Sequence, residues 1–316
     1  MSDKQILLLE SVSEEADQLL RGRAKVFDAS SPFTGEEVAR NHAIHAIVTR
    51  GKGDVSRTLI EQCPDLEVIA RCGVGLDNVA LDFATRRGIR VINAPGSNAD
   101  TVAEHALALM LMLQRQLYPS ISAVKNDEWN FRNAYHGDEI RGKTLGILGM
   151  GNIGKKVAKL ASVFGMKIIY WDALPQSLPY AALPLDKVLQ QADLISLHLP
   201  LTNDTRNLIN REALANMQNH ALLINTARGE IIDQEALIEA LRQGQLGGFA
   251  ADVLATEPPA ADDPLPAMPN VLITPHSASL TARTYNEMCV VTVRNTLDLL
   301  QGKEIEERYV FNRKAL

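Results

Sequence analysis

Residues 143–172, KTLGILGMGNIGKKVAKLASVFGMKIIYWD, follow one another as strand, glycine turn, helix and strand. Residues 144–148 are a short apolar run of strand length. Gly149, Gly151 and Gly154 then give G-x-G-x-x-G. Ile153, Val157, Leu160, Ala161 and Phe164 recur at helical spacing, and Gly165 stops the helix. A second apolar run, 167–171, is closed by Asp172. Each piece has a physical reason. Gly149 permits the tight turn, Gly151 lets backbone approach a pyrophosphate, and Gly154 lets the helix lie close on the strand. The N–H groups of Asn152 and Ile153 face the anion at the positive end of the helix. Asp172, roughly 20 residues beyond the glycines, can accept bonds from a ribose diol. A 2′-phosphate would be repelled there, and Ala173 and Leu174 offer no cation, so the stretch predicts NAD rather than NADP. A bare glycine pattern is a weak signal; its strand–turn–helix–strand context makes it specific.

On the C-terminal side, strands are expected at 194–198, 221–225, 248–252 and 271–274, with helices near 186–191, 210–216 and 233–243. With the two strands of the opening stretch these make a doubly wound dinucleotide (Rossmann) domain of six strands. On the N-terminal side, strands at 6–9, 25–27, 46–48, 68–71 and 90–92 alternate with helices near 13–21, 35–42, 55–62 and 79–87. That alternation predicts a second parallel sheet with helices on both faces. The fold class is therefore α/β, with two doubly wound parallel-sheet domains.

Residues 98–118 read as one long helix, apolar nearly all round over 106–113, and suited to a buried connector. His105 within it is read as a hydrogen-bonded core histidine. Residues 119–142 read as a polar, irregular excursion carrying Trp129 and Phe131, a candidate contact with a second subunit. Residues 137–144, GDEIRGKT, fit the phosphate-loop pattern G-x-x-x-x-G-K-S/T, but a strand follows where a helix is needed, so that reading is rejected. A final helix is expected over 281–300, with a charged tail returning to the first domain. The expected domains are 1–98 with 285–316, and 99–284.

The 316 residues allow two domains. A net charge of −6 argues against nucleic acid or an anionic membrane as the main partner. Cys63, Cys72 and Cys289 form an odd, scattered set, which predicts neither disulfides nor a metal site and fits a reducing cytoplasm. The N-terminus lacks a signal-peptide layout, and the longest apolar run is too short to span a bilayer.

Parallel sheets bind ligands at the carboxyl ends of their strands. One such end, residues 71–78, places Gly73 and Gly75 one residue apart. It reads either as an amide nest for a small carboxylate or as an ordinary strand-to-helix turn. Three ends in the second domain carry polar groups: Asn225, Thr226 and Arg228; Asp252 and Glu257; Thr274, His276 and Ser277. Arg228 offers a planar fork for a carboxylate or a carbonyl oxygen. His276 can give a proton to a developing alkoxide, and Glu257 can orient and support the imidazole. Together they form a coherent set for hydride transfer to a 2-oxo acid.

The pieces RCGVGLDNV, GILGMGNIG ending at WD, HLPLTNDTRNLIN, LLINTARGE, DVLATEP and NVLITPHSA occur in that order over nearly the whole chain. In them the chain resembles the D-isomer-specific 2-hydroxyacid dehydrogenases. The resemblance implies a flavodoxin-like substrate domain beside the Rossmann NAD-binding domain. It also implies Arg228, Glu257 and His276 as the catalytic set, with the Val74 and Gly75 amides on the substrate carboxylate. Asp252, Thr226 and the turn from His198 to Pro200 are then implied to line the cofactor, the partner is a small 2-hydroxy or 2-oxo acid, and the assembly is a homodimer. Within the family the chain is most similar to phosphoglycerate dehydrogenases and hydroxypyruvate reductases. Arg50 matches a substrate-loop arginine of the former, and Lys52 is close by. The two cations would suit a second anionic group on the substrate, such as phosphonooxy, sulfonate or carboxylate, and the candidate substrates are of 3-phosphoglycerate, sulfolactate or glycerate type. On the alternative, Lys52 is solvated and Arg50 pairs with a neighbouring acid. A rival from another class is an NAD(H)-sensing, corepressor-like binding protein of the same fold.

Overall fold

The computed structural model describes residues 4–29, 32–174 and 177–315; the extreme ends of the expected first domain, 1–3 and 316, lie outside them. The chain divides into two compact units, residues 1–98 with 280–316, and residues 99–279.

The first unit runs β1 (Gln5–Leu8), α1 (Glu14–Arg21), β2 (Lys25–Asp28), α2 (Pro32–Asn41), β3 (Ile44–Thr49), α3 (Arg57–Glu61), β4 (Val68–Arg71), α4 (Leu81–Arg86) and β5 (Arg90–Ile92). Its sheet is wholly parallel, in the order β2-β1-β3-β4-β5, the flavodoxin-like arrangement. Because both faces are covered, the strands are apolar on both sides rather than alternating with polar residues. Leu7, Ile47 and Ile69 pack on one face with Leu59 and Ile60 of α3. Ile6, Val48 and Val68 pack on the other with Val293 and Leu297, which belong to the last long helix of the chain.

The second unit opens with α5 (Ala99–Gln114) and α6 (Leu117–Lys125), followed by a 3-10 turn at Trp129–Ala134. It continues β6 (Thr144–Leu148), α7 (Asn152–Val163), β7 (Lys167–Trp171), β8 (Ala181–Ala182), α8 (Leu185–Gln191), β9 (Leu194–Leu197), α9 (Arg211–Ala215), β10 (Leu222–Asn225), α10 (Gln234–Arg242), β11 (Gly248–Ala251) and β12 (Val271–Ile273). The sheet is parallel, in the order β12-β11-β10-β9-β6-β7-β8. The strand order reverses between β6 and β9, which is where such sheets bind their ligand. The closing helix, α11 (Ala282–Leu300), lies in the first unit and is capped by the Thr281 side chain on the Thr284 N–H.

Two expectations need correction. Among the described residues the dinucleotide sheet has seven strands, because the exposed two-residue β8 pairs with β7. The long helix expected to Tyr118 ends at Gln114; Gln116 takes φ +46° and a new helix starts at Leu117. A left-handed residue cannot continue a right-handed helix, so much of the expected irregular segment is helical. Thr144 opens a strand, in keeping with the rejection of the phosphate loop.

Candidate active site

The glycine turn sits at the reversal point. Gly149 has φ +96°, and a Cβ there would lie 2.6 Å from the His198 carbonyl oxygen on the neighbouring strand end. A Cβ on Gly154 would collide with the Gly149 carbonyl, so only glycine lets α7 start this close to the turn. A Cβ on Gly151 would meet nothing within 4 Å, which leaves open space over the start of α7. There the amides of Asn152 and Ile153 have no helical acceptor of their own. Asp172 ties this turn to the end of β7, accepting from the Met150 N–H at 2.6 Å and the Leu174 N–H at 2.8 Å. His198, at the end of β9, bonds Ser196 Oγ through Nε2 at 2.9 Å, and burial pushes its imidazole down to about 4. The ring is therefore neutral at pH 7. The Pro200 carbonyl accepts from the Thr205 hydroxyl at 2.6 Å, which fixes the turn beyond the strand.

The next strand ends carry the polar groups. Asn225, fully buried, clamps the turn after β10: its Oδ1 accepts from the Ala227 N–H (2.9 Å) and its Nδ2 donates to the Arg228 carbonyl (2.8 Å). Arg228 donates from Nη1 to the Ala227 carbonyl at 2.7 Å. A Cβ on Gly229 would strike the Leu254–Ala255 peptide, so this turn lies directly against the one that bears Glu257. Glu257 uses both oxygens, Oε1 on the Leu254 N–H (2.9 Å) and Oε2 on His276 Nδ1 (2.8 Å). Three residues that are distant in sequence are thus linked through adjacent turns, and Glu257 joins His276 directly.

Asp252, 2% exposed, shapes the turn that bears His276. It accepts from the Thr274 hydroxyl (2.6 Å) and from the N–H groups of Ser277 and Ala278 (both 2.8 Å). The one hydroxyl proton of Thr274 goes to Asp252, so His105 Nε2, 3.0 Å from that oxygen, is its donor. His105 is hydrogen-bonded as expected, but only partly buried, its side chain being 23% exposed.

A bound dinucleotide fits these residues. The Thr226 hydroxyl is buried and has no hydrogen-bond partner among the described residues. It lies just beyond β10 on the edge that carries the glycine turn, and a buried hydroxyl without a partner is costly unless a ligand serves it.

In the first unit, the Val74–Gly75 turn follows β4. Asn93 Nδ2 donates to the Val74 carbonyl at 2.6 Å, and the Ala94 N–H to the Gly73 carbonyl at 2.8 Å. Arg50 follows the neighbouring β3, and its Nε lies 3.8 Å from Glu10 Oε1. Arg50 does pair with a neighbouring acid, and Lys52 is exposed.

The model of the D-isomer specific 2-hydroxyacid dehydrogenase NAD binding domain matches residues 107–278. The chain is 39% identical over 287 residues to a hydroxypyruvate reductase of Thermotoga maritima, covering 89% of this chain and 94% of the relative. It belongs to the D-isomer-specific 2-hydroxyacid dehydrogenases. It is also 34% identical to a D-3-phosphoglycerate dehydrogenase of Archaeoglobus fulgidus, over 94% of this chain but only 57% of that longer relative. The crystal structure of the TT0316 protein from Thermus thermophilus superposes with a TM-score of 0.88 at 37% identity, covering 95% of this chain and 98% of that one. Within the family the chain is an NAD-dependent dehydrogenase, and the corepressor-like alternative finds no support among these relatives.

Sequence reasoning named the family's motif residues but missed those that hold them. Asn225 was seen only as part of a strand end, and the roles of Asn93 and Glu10 were not seen at all. The only signal available was an amide or carboxylate side chain standing where a strand of a parallel sheet ends.

Proposed function

We propose that this dehydrogenase moves a hydride between NAD(H) and C2 of a small D-2-hydroxy acid and its 2-oxo counterpart. The observation that carries the reading is the His276–Glu257 pair at 2.8 Å. Glu257 holds Nδ1 as the N–H donor, which leaves Nε2 to give or take the proton. When bound, NADH would supply the hydride to C2. His276 Nε2 delivers a proton to the oxygen that becomes the hydroxyl, and takes it back in the oxidative direction. The imidazolium formed in that direction is supported by the Glu257 carboxylate. Arg228 binds the carboxylate or the carbonyl oxygen through its fork, and the Val74 and Gly75 amides serve the carboxylate. Gly149, Gly151, Asn152, Ile153 and Gly154 would hold a pyrophosphate and Asp172 a ribose, with Thr226, Asp252, His198 and Pro200 lining the rest of the cofactor site.

The names of the relatives, hydroxypyruvate reductase and D-3-phosphoglycerate dehydrogenase, support a short 2-oxo acid. The assembly we propose is a homodimer, supported by an apolar face on α6 and the turn after it. There Leu117, Tyr118, Ile121, Val124 and Trp129 are 38%, 59%, 52%, 54% and 68% exposed. A reducing cytoplasm is the location we propose, on the odd set of three cysteines in the sequence, Cys63, Cys72 and Cys289. His276→Ala should lower kcat by about 10²–10⁴-fold in NADH oxidation with 2-oxo acids, while fluorescence titration shows NADH still bound. Unchanged turnover would remove His276 from the mechanism.

A further inference from the structure

The backbone amides of Arg50, Gly51, Lys52 and Gly53 converge on one point after β3. That point is filled by Glu10. Its Oε2 accepts from all four N–H groups, at 2.9, 2.6, 2.8 and 2.8 Å respectively. The other oxygen lies 3.8 Å from Arg50 Nε, and the carboxylate side chain is only 12% exposed. Convergent amides beside a guanidinium are the usual means of holding a phosphonooxy or sulfonate group. Here an anion of the chain itself takes that place.

The loop is built for this occupant. A Cβ on Gly53 would lie 2.7 Å from both Leu9 Cβ and Thr49 Oγ1, so the chain can pass so close to Glu10 only as glycine. Asn78 Nδ2 donates to the Gly53 carbonyl at 2.6 Å and lies 3.3 Å from Thr49 Oγ1. The loop is thereby fixed to the segment that carries Val74 and Gly75, on the next strand of the same sheet. Arg50 in turn rests over the Tyr285 ring, 5.3 Å from its centroid. Burial alone would raise the pKa of Glu10, but the four amides outweigh it and hold the carboxyl below its ordinary range. The anion is therefore permanent at neutral pH, and it offsets the Arg50 charge.

We propose that Glu10 is a specificity-determining residue, an internal anion that fills the Arg50–Gly53 nest and restricts the enzyme to 2-oxo acids with an uncharged C3 substituent. This rests on the dehydrogenase reading above. A second anionic group on the substrate would meet amides already bonded, a guanidinium already paired, and a like charge a few ångströms away. Hydroxypyruvate-type substrates carry only the carboxylate.

The test compares wild type, Glu10→Gln and Glu10→Asp with NADH and either hydroxypyruvate or phosphohydroxypyruvate. Glutamine keeps an acceptor for the amides and removes the charge. Wild type and Glu10→Asp should favour hydroxypyruvate. In Glu10→Gln the ratio of kcat/KM for the phosphorylated acid to that for hydroxypyruvate should rise about tenfold or more, through KM. A wild type that prefers phosphohydroxypyruvate overturns the proposal whatever the variants do, and so does an unchanged ratio in Glu10→Gln. Melting temperature against inorganic phosphate gives a readout free of turnover. A phosphate-dependent rise confined to Glu10→Gln supports the role, and an equal response in all three proteins overturns it. If no acid is turned over although NADH binds, the dehydrogenase reading has failed, and the phosphate series still decides what Glu10 does.

Discussion

His276 takes a φ of +53°, a conformation that costs a residue with a side chain about 1–3 kcal/mol unless its surroundings fix it. They do. Its N–H bonds the carbonyls of Asp252 and Thr274, and the Asp252 carboxylate holds the next two amides. The imidazole is aimed by backbone, not by the flexibility of its own side chain. His198 shows a different economy, because burial keeps its ring neutral with the pKa lowered to about 4. In the unfolded chain it titrates near its ordinary value of about 6.5. Between those values the unfolded state binds the extra proton, so stability conferred by the neutral ring is full above about pH 6.5 and falls as pH drops towards 4. Wild type should therefore lose more melting temperature over that window than His198→Asn. Parallel melting curves for the two proteins would refute this assignment.

The glycine turn makes opposite demands at two of its positions. Gly154→Ala places a methyl group into the Gly149 carbonyl and should destabilise the fold by about 1–3 kcal/mol in urea melts. Gly151→Ala meets open space, so its stability should match wild type while its NADH affinity, read by fluorescence titration, falls. Equal effects on both quantities in both variants would mean the glycines do not divide these tasks. The turn was legible in the sequence because it is local: glycines at fixed spacing between two apolar runs. The same is true of most strands, since a fully covered parallel sheet writes itself as short runs of Ile, Leu and Val. The break at Gln116 was not legible, because nothing in LQRQLY distinguishes a helix that ends from one that continues. Nor was β8, whose two alanines carry no pattern. The carboxylate in the Arg50–Gly53 nest escaped for a third reason: Glu10 stands about forty residues before the amides it binds, and only the pairing of β1 with β3 brings them together.

For the protein as a whole, no helix among the described residues is long and apolar enough to cross a membrane. The homodimer proposed above would use the apolar face on α6, whose spacing at 117, 118, 121 and 124 is that of one helical stripe. Sedimentation should find a dimer, and the double substitution Ile121→Glu with Val124→Glu should yield a monomer that still melts cooperatively. A dimer that survives the double substitution would place the interface elsewhere.

The division of the chain at residues 98/99 and 279/280 has a consequence for synthesis. The second unit is one uninterrupted stretch, whereas the first is made in two pieces, 1–98 before it and 280–316 after it. When β1 to β5 leave the ribosome, one face of their sheet still lacks α11, and β5 lacks its Asn312 clamp, which bonds the Val91 N–H and the Ile89 carbonyl. That half-built sheet must wait, with apolar surface uncovered, while all 181 residues of the insert, 99–279, are made. The nucleotide-binding unit can close first on the nascent chain, and the unit whose strands precede it is completed only after it.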